Sequence, residues 1–418
     1  MSELTSRERV ERALNHEELD RVPIDLGSSR VTGIAAIAYR NLLEHLGIGE
    51  EVRLFDIKQQ LAMPSVEVVD RLGGDVMLLS RLAPTTGMPF LGIDRWKAGR
   101  MTDGAPCLVP EDYQVEVHDN GTADVIHEGC LVAQRTPGSL YFDVCSHPLA
   151  EAESCADIDA YEFPDPWSER EAEFLRGEVE RLYHGTDKAL FAGVPLMNGS
   201  FMEIGAVLFG YETFMMNLHT EREMMEHWLD RMLEHDMEVL GPYLEIAGPY
   251  ICGIQMNDDF GAQDALQISP QIYREMFKPR QEKWIEFVKA RTDAKVFIHC
   301  DGAVEELLPD FIEIGIDILN PLQTNARGMA PDKIKRKYGR DLSFWGGGSE
   351  TQTTLPFGTL DEIRAEVAER VRLLGRGGGY VFGTIHNIQA DISPEKIMAV
   401  FDTARETRVG GRKPMSGN

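Results

Sequence analysis

Residues 296–323 read VFIHCDGAVEELLPDFIEIGIDILNPLQ. The apolar run that ends at His299 has the length and β-branched character of a buried strand, and Gly302 punctuates it. Residues 303–314 then place apolar side chains at helical spacing with acids between them, and a second apolar run follows at 316–323. A strand, a helix and a strand in that order predict a parallel βαβ unit.

The pattern recurs outward from this stretch. Apolar runs occupy 21–27, 75–80, 189–195, 250–256, 295–301, 316–323, 342–347 and 379–386. Helical patterns at 222–247, 270–292, 303–314, 359–375 and 393–408 follow most of them. Eight such repeats predict an α/β fold of the TIM (β/α)8 barrel type, with an open doubly wound sheet as the structural alternative. An amphipathic N-terminal helix precedes the first run. Residues 90–150 break the rhythm with short alternating segments around a DNG and a TPG turn, which predicts a β-hairpin insertion after strand 2. The chain therefore reads as a single domain, 1–418, with an inserted subdomain at 90–150 and a frayed tail from about 410.

Composition narrows the function. The 418 residues hold 42 Lys+Arg against 69 Asp+Glu, a formal charge of −27. Long-range repulsion argues against a nucleic acid or an anionic membrane as partner. The opening MSELTSRERVERALNHEELD has no apolar signal core, and no run approaches the roughly 18 residues of a membrane span. Six cysteines without CxxC pairing fit reduced thiols, so a soluble, cytoplasmic protein is expected.

In a TIM barrel the chemistry collects at the C-terminal strand ends. His299 and Asp301 alternate onto one face there, with Cys300 on the other. His386 and Asn387 end the last run. His299, Asp301 and His386 form a candidate two-His, one-carboxylate set that leaves a position open, as catalytic zinc requires; Fe(II) suits the same set. Cys300 is an alternative ligand to Asp301, and a plain hydrogen-bonded His–Asp pair is the alternative to any metal. Asp258 and Asp259 end another run, as acid/base candidates or as a helix cap. Asp25, Glu203, Asn387 and Trp345 are candidate substrate-binding residues, Trp345 opening a Gly346–Gly348 stretch that permits close backbone approach.

The segments VFIHCDGAVEELLPDFIEIGIDILNPLQ, LSFWGGGSETQTTLP and GGGYVFGTIHNIQADISPEKI resemble the uroporphyrinogen decarboxylase superfamily, whose fold is a TIM barrel. The resemblance runs over essentially the whole chain. Decarboxylases of that family carry PVWxMRQAGRY after the first strand, with arginines that hold the carboxylates of a tetrapyrrole. Here Ser28 and Thr32 stand at those arginine positions, and Arg30 is out of register. The resemblance is closer to the corrinoid-dependent methyltransferases, the methyl-transferring components of O-demethylase systems, which bind zinc through His-x-Cys and a later Cys. His299 matches the His, Asp301 stands at the first Cys position and His386 falls near the second. The resemblance implies one zinc per chain, a small methoxylated or methylated donor, and a corrinoid held by a partner protein, because this chain lacks a DxHxxG motif. Asp258 or Asp259 would assist the leaving group. Decarboxylation of a tetrapyrrole or small acid and a non-catalytic corrinoid- or tetrapyrrole-binding barrel are the alternatives. A monomer or a homodimer is expected.

Overall fold

The computed structural model describes residues 4–83, 91–165, 167–193 and 200–409; the expected frayed tail lies outside them. Seven parallel strands form one curled sheet: β1 (Val76–Leu78), β2 (Ala189–Ala192), β3 (Ile251–Asn257), β4 (Lys295–His299), β5 (Ile318–Asn320), β6 (Ser343–Trp345) and β7 (Tyr380–Val381). Each pairs with its neighbour in chain order.

Residues 22–25 close the ring. Ile24 bridges Phe382 in parallel on one side, and the Asp75 N–H donates to the Ile24 carbonyl on the other (2.7 Å). This run makes one bridge rather than a longer ladder because Pro23 has no N–H to give. The fold is thus the TIM barrel expected from the eight apolar runs.

Alternation along the strands fills the interior. Phe191, Phe297 and Trp345 pack ring on ring, with centroids 4.9–5.7 Å apart. Helix α1 (Ser6–Leu14) plugs the N-terminal end, burying Val10 and Leu14 in the same cluster. Side chains two residues beyond this layer emerge at the opposite, C-terminal mouth.

The 96–144 region is antiparallel. Trp96–Arg100 pairs with Pro106–Pro110, and Val115–Val117, Ala123–His127, Cys130–Arg135 and Asp143–Val144 form a four-stranded meander. Gly121 and Gly138 take positive φ (84° and 87°) in the DNG and TPG turns, a conformation open to glycine. The end of this insertion returns to the barrel, where the Phe142 N–H donates to the Lys58 carbonyl (2.9 Å). Among the described residues, no helix is long and apolar enough to cross a membrane.

Candidate metal and acid site

Strand register builds the site. Asn257 pairs with His299, and His299 with Asn320, so β3, β4 and β5 present three polar side chains at one level of the mouth. His299 Nδ1 lies 2.7 Å from Asn320 Oδ1. The Asn320 amide is itself oriented, because its Nδ2 donates to the Trp345 carbonyl (2.8 Å). Nδ1 of His299 therefore donates to Asn320, and Nε2 is the nitrogen that faces the mouth.

Nε2 lies 3.6 Å from Asp301 Oδ2 and 3.8 Å from Asp259 Oδ1. His386 joins from the loop after β7, its ring centroid 6.1 Å from that of His299. The loop is pinned by Ile385 N–H to the Ser349 carbonyl (3.0 Å) and Thr384 Oγ1 to the His386 carbonyl (2.6 Å). Ligand atoms of His299, Asp301 and His386 lie within 4.8 Å of one another.

Asp301 is held by its own N–H, which donates to Asp259 Oδ1 (2.8 Å). The turn after it needs glycine: Gly302 has φ +89°, and a Cβ there would sit 2.6 Å from the Ala262 carbonyl oxygen.

The electrostatics are those of a carboxylate cluster. Burial raises Asp259 above the ordinary carboxylate range, and Asp301 and Glu203 add to this against the pull of His299. Burial alone would lower His299, but Asp259, Asp301 and the Asn320 hydrogen bond outweigh it and raise it. Burial lowers His386, favouring its neutral ring. Two imidazoles, one held neutral and one oriented so that Nε2 faces the cluster, beside Asp301 fit a divalent cation such as zinc.

Other expected residues take different places. Cys300 is fully buried, accepts the Phe260 N–H (3.3 Å), and burial raises its thiol well above the usual range. Its Sγ is not among the ligand atoms that converge with those of His299 and His386. Asp258 faces helix α2 (Phe201–Phe209), its Oδ1 accepting the N–H groups of Met202 (2.8 Å) and Glu203 (3.2 Å). That is a cap, so of the two aspartates only Asp259 stands beside the imidazoles. Asp25 and Trp345 pair with each other, indole Nε1 to Oδ2 at 2.7 Å, and Trp345 is 0% exposed. They build the floor rather than a substrate-accessible wall.

Glu203 and Asn387 do reach the mouth. Glu203 accepts from Asn257 Nδ2 (3.0 Å), the end of a relay running from Ser29 through Gln255. Asn387 joins the insertion to the barrel, accepting from the Tyr141 hydroxyl (3.1 Å) and donating to Gln59 (3.0 Å). Sequence reasoning missed Asn320 and Tyr141. Asn320 carried a signal, a polar residue ending a strand level with His299; Tyr141 carried none.

The uroporphyrinogen decarboxylase (URO-D) family model matches residues 144–407, more than half of the chain and all three candidate ligands. The chain belongs to this family. It is similar to the uroporphyrinogen decarboxylase of Crocosphaera subtropica, 26% identical over 156 residues, which is 37% of this chain and 41% of that protein. It is also similar to the uroporphyrinogen decarboxylase of Hydrogenovibrio crunogenus, 23% identical over 223 residues, 52% and 58% of the two chains. The match thus spans about half the length of these relatives. Among solved structures, a methyltransferase from Methanosarcina mazei superposes with a TM-score of 0.60 over 97% of this chain and 99% of that one, at 16% identity. At that identity the likeness is one of fold, and it covers the barrel and the insertion together.

Proposed function

We propose that this URO-D family member is a metal-dependent methyltransferase, moving a methyl group from a small methoxylated or methylated donor to a corrinoid carried by a partner protein. The observation that supports it most is the convergence of His299, Asp301 and His386 within 4.8 Å, beside Asp259. A zinc ion held by these three would supply Lewis acidity toward the donor's leaving oxygen.

The chain's own residues do the rest. Asn320 orients His299, and the Asp301 N–H fixes Asp259. Asp259 would hold a proton next to the site and give it to the leaving oxygen, which keeps the C–O electron pair, while the methyl carbon takes the electron pair of Co(I) on the acceptor corrinoid. Leu140 of the insertion lines the entrance. A cytoplasmic setting suits the six free cysteines.

Tetrapyrrole decarboxylation, the activity named for the relatives above, is less well supported. Ser28 Oγ donates to Asp25 (2.8 Å), Thr32 Oγ1 donates to the Ser29 carbonyl (3.4 Å), and Arg30 faces Asp56 (3.5 Å). Several substrate carboxylates would stay unpaired there.

Elemental analysis tests the reading, with methyl transfer from methoxylated aromatics to free cob(I)alamin followed by absorbance. About one zinc per chain in the wild type, lost in His299→Ala and His386→Ala together with transfer, is the expected result. Metal-free wild type from unchelated purification, or unchanged metal in both variants, overturns it.

A further inference from the structure

The inserted region carries a cavity of about 730 Å³, lined from both the 96–110 hairpin and the four-stranded meander. That volume suits a small molecule. Strand register explains part of its lining. Val117 pairs with Ala123 and Ala123 with Arg135, and Phe142 falls opposite Arg135 because Asp143 pairs with Gln134. Directly paired residues share a face of the sheet, so Arg135 stands in a row of apolar neighbours. The adjacent row, Val115, Val125 and Ala133, is apolar throughout.

A half-buried arginine in such a row is costly without a counter-charge. Arg135 Nε is sealed from solvent with no hydrogen-bond partner, and the guanidinium makes no ion pair, among the described residues. The Phe142 ring, 5.8 Å from the guanidinium carbon, is weak compensation. Lys97 and Arg100 line the same cavity and also lack an acid partner among the described residues; Arg100 Nη1 donates to the Gly104 carbonyl (2.7 Å). Glu116 is the one acid among the described lining residues, and it alternates away from Val115 and Val117. The chain as a whole carries −27, but salt screens distant charge over about 8 Å, so the three local cations set the field here.

The walls suit an apolar body. Val109, Tyr113 and Phe142 are buried, whereas Val115 and Val117 are left 39% and 71% exposed. A sugar phosphate or a nucleotide would lay polar groups against these side chains without hydrogen bonds. A neutral lipid would leave Arg135 unpaired, and a cation would be repelled. Open apolar surface beside an unmatched guanidinium fits an amphipathic anion, and a carboxylate matches the planar fork of arginine. None of the described residues lining this cavity borders the space beside Asp301 and His386.

We propose that the insertion holds a second ligand site, which binds a carboxylate carried on an apolar body: the carboxylate at Arg135, with Lys97 and Arg100 adding charge, and the body against Val109, Val117 and Phe142. The site stands independently of the methyl-transfer reading.

Isothermal titration calorimetry on the full chain tests it with octanoate and 1-naphthoate against 1-octanol and octylamine, at about 150 mM salt. One carboxylate per chain is expected to bind with a Kd below about 1 mM. It should bind about tenfold or more tighter than the alcohol or the amine, the contribution of a charge-assisted hydrogen bond. Binding of either carboxylate supports the site, octanoate naming a chain and 1-naphthoate a ring system as the apolar body. Arg135→Met keeps the packing and removes the charge, so carboxylate affinity should fall about tenfold, to the level of the alcohol, while metal content stays that of the wild type. Arg135→Lys keeps the charge and should retain most of the binding. Octanoate should raise the Tm of the wild type and leave that of Arg135→Met unmoved. No binding of either carboxylate, equal binding of the alcohol, unchanged carboxylate affinity in Arg135→Met, or a loss in Arg135→Lys equal to that in Arg135→Met overturns the inference.

Discussion

At His299 the decisive contact is made by the nitrogen that faces away from the cluster. Asn320 accepts from Nδ1, which leaves Nε2 as the nitrogen turned toward Asp301 and His386. Outer partners of this kind tune metal affinity by about 10- to 100-fold. Asn320→Ala should therefore weaken zinc binding by that range, measured by competition with a chromogenic chelator, and an unchanged affinity refutes the orienting role. Asp259 acts differently. Asp259→Asn should keep the zinc and lower kcat by roughly 10²- to 10⁴-fold, the usual contribution of a general acid; a rate within twofold of wild type removes Asp259 from the mechanism. The placing of His299 and Asp301 on one face, with Cys300 on the other, was legible in the sequence because a strand alternates its side chains. The Asp25–Trp345 pair was not, since 320 residues separate its members and no local pattern links them.

At the scale of elements, the Asp258 side chain completes helix α2 from a strand end 55 residues away. Its buried Oδ2 has no partner among the described residues, and burial raises Asp258 well above the carboxylate range, so the neutral acid is what the fold accommodates. Asp258→Asn keeps the acceptor and should change stability little. Asp258→Ala strands two helix N–H groups and should cost about 1–3 kcal/mol in urea unfolding; equal effects of the two substitutions contradict the capping role. Helix α3 (Arg222–Ala247) carries a second test. His235 stacks on Phe163 (4.9 Å, 20°), and burial together with Arg81 and Arg231 lowers it to about 4. The unfolded chain takes up this proton near its ordinary value of about 6.5, before the folded chain does. Stability is therefore full above that value and falls as pH drops from about 6.5 toward 4. His235→Gln should flatten this slope in unfolding curves at pH 7, 5.5 and 4.5, and an unaltered slope counts against it.

At the scale of the whole molecule, barrel closure depends on one buried acid. Asp75 accepts from Arg9 Nη1 (2.5 Å), Arg21 Nη1 (2.6 Å) and the Ile24 N–H (2.9 Å). These contacts tie α1, the closing segment 22–25 and β1 together at the end of the barrel opposite the site. Removing one partner of such a buried ion pair typically costs about 3–5 kcal/mol. Asp75→Ala should lower stability by that order in denaturant unfolding, and a loss under about 1 kcal/mol contradicts the closure role. The insertion docks at the other end, where Tyr141 meets Asn387 and Gln389.

Periodicity along the chain was enough for the eight-repeat barrel, the antiparallel insertion and the strand ends that carry His299, Asp301 and His386. Each of these follows from alternation, helical spacing and turn residues, which act over a few positions. Tertiary contact alone decided which aspartate caps a helix and which stands beside the imidazoles, that Asp25 and Trp345 form a floor, and that amides from four strand-end loops share one wall. Those roles depend on distances between segments that lie far apart along the chain. Closure of the barrel, and not any local preference, brings them within hydrogen-bonding range.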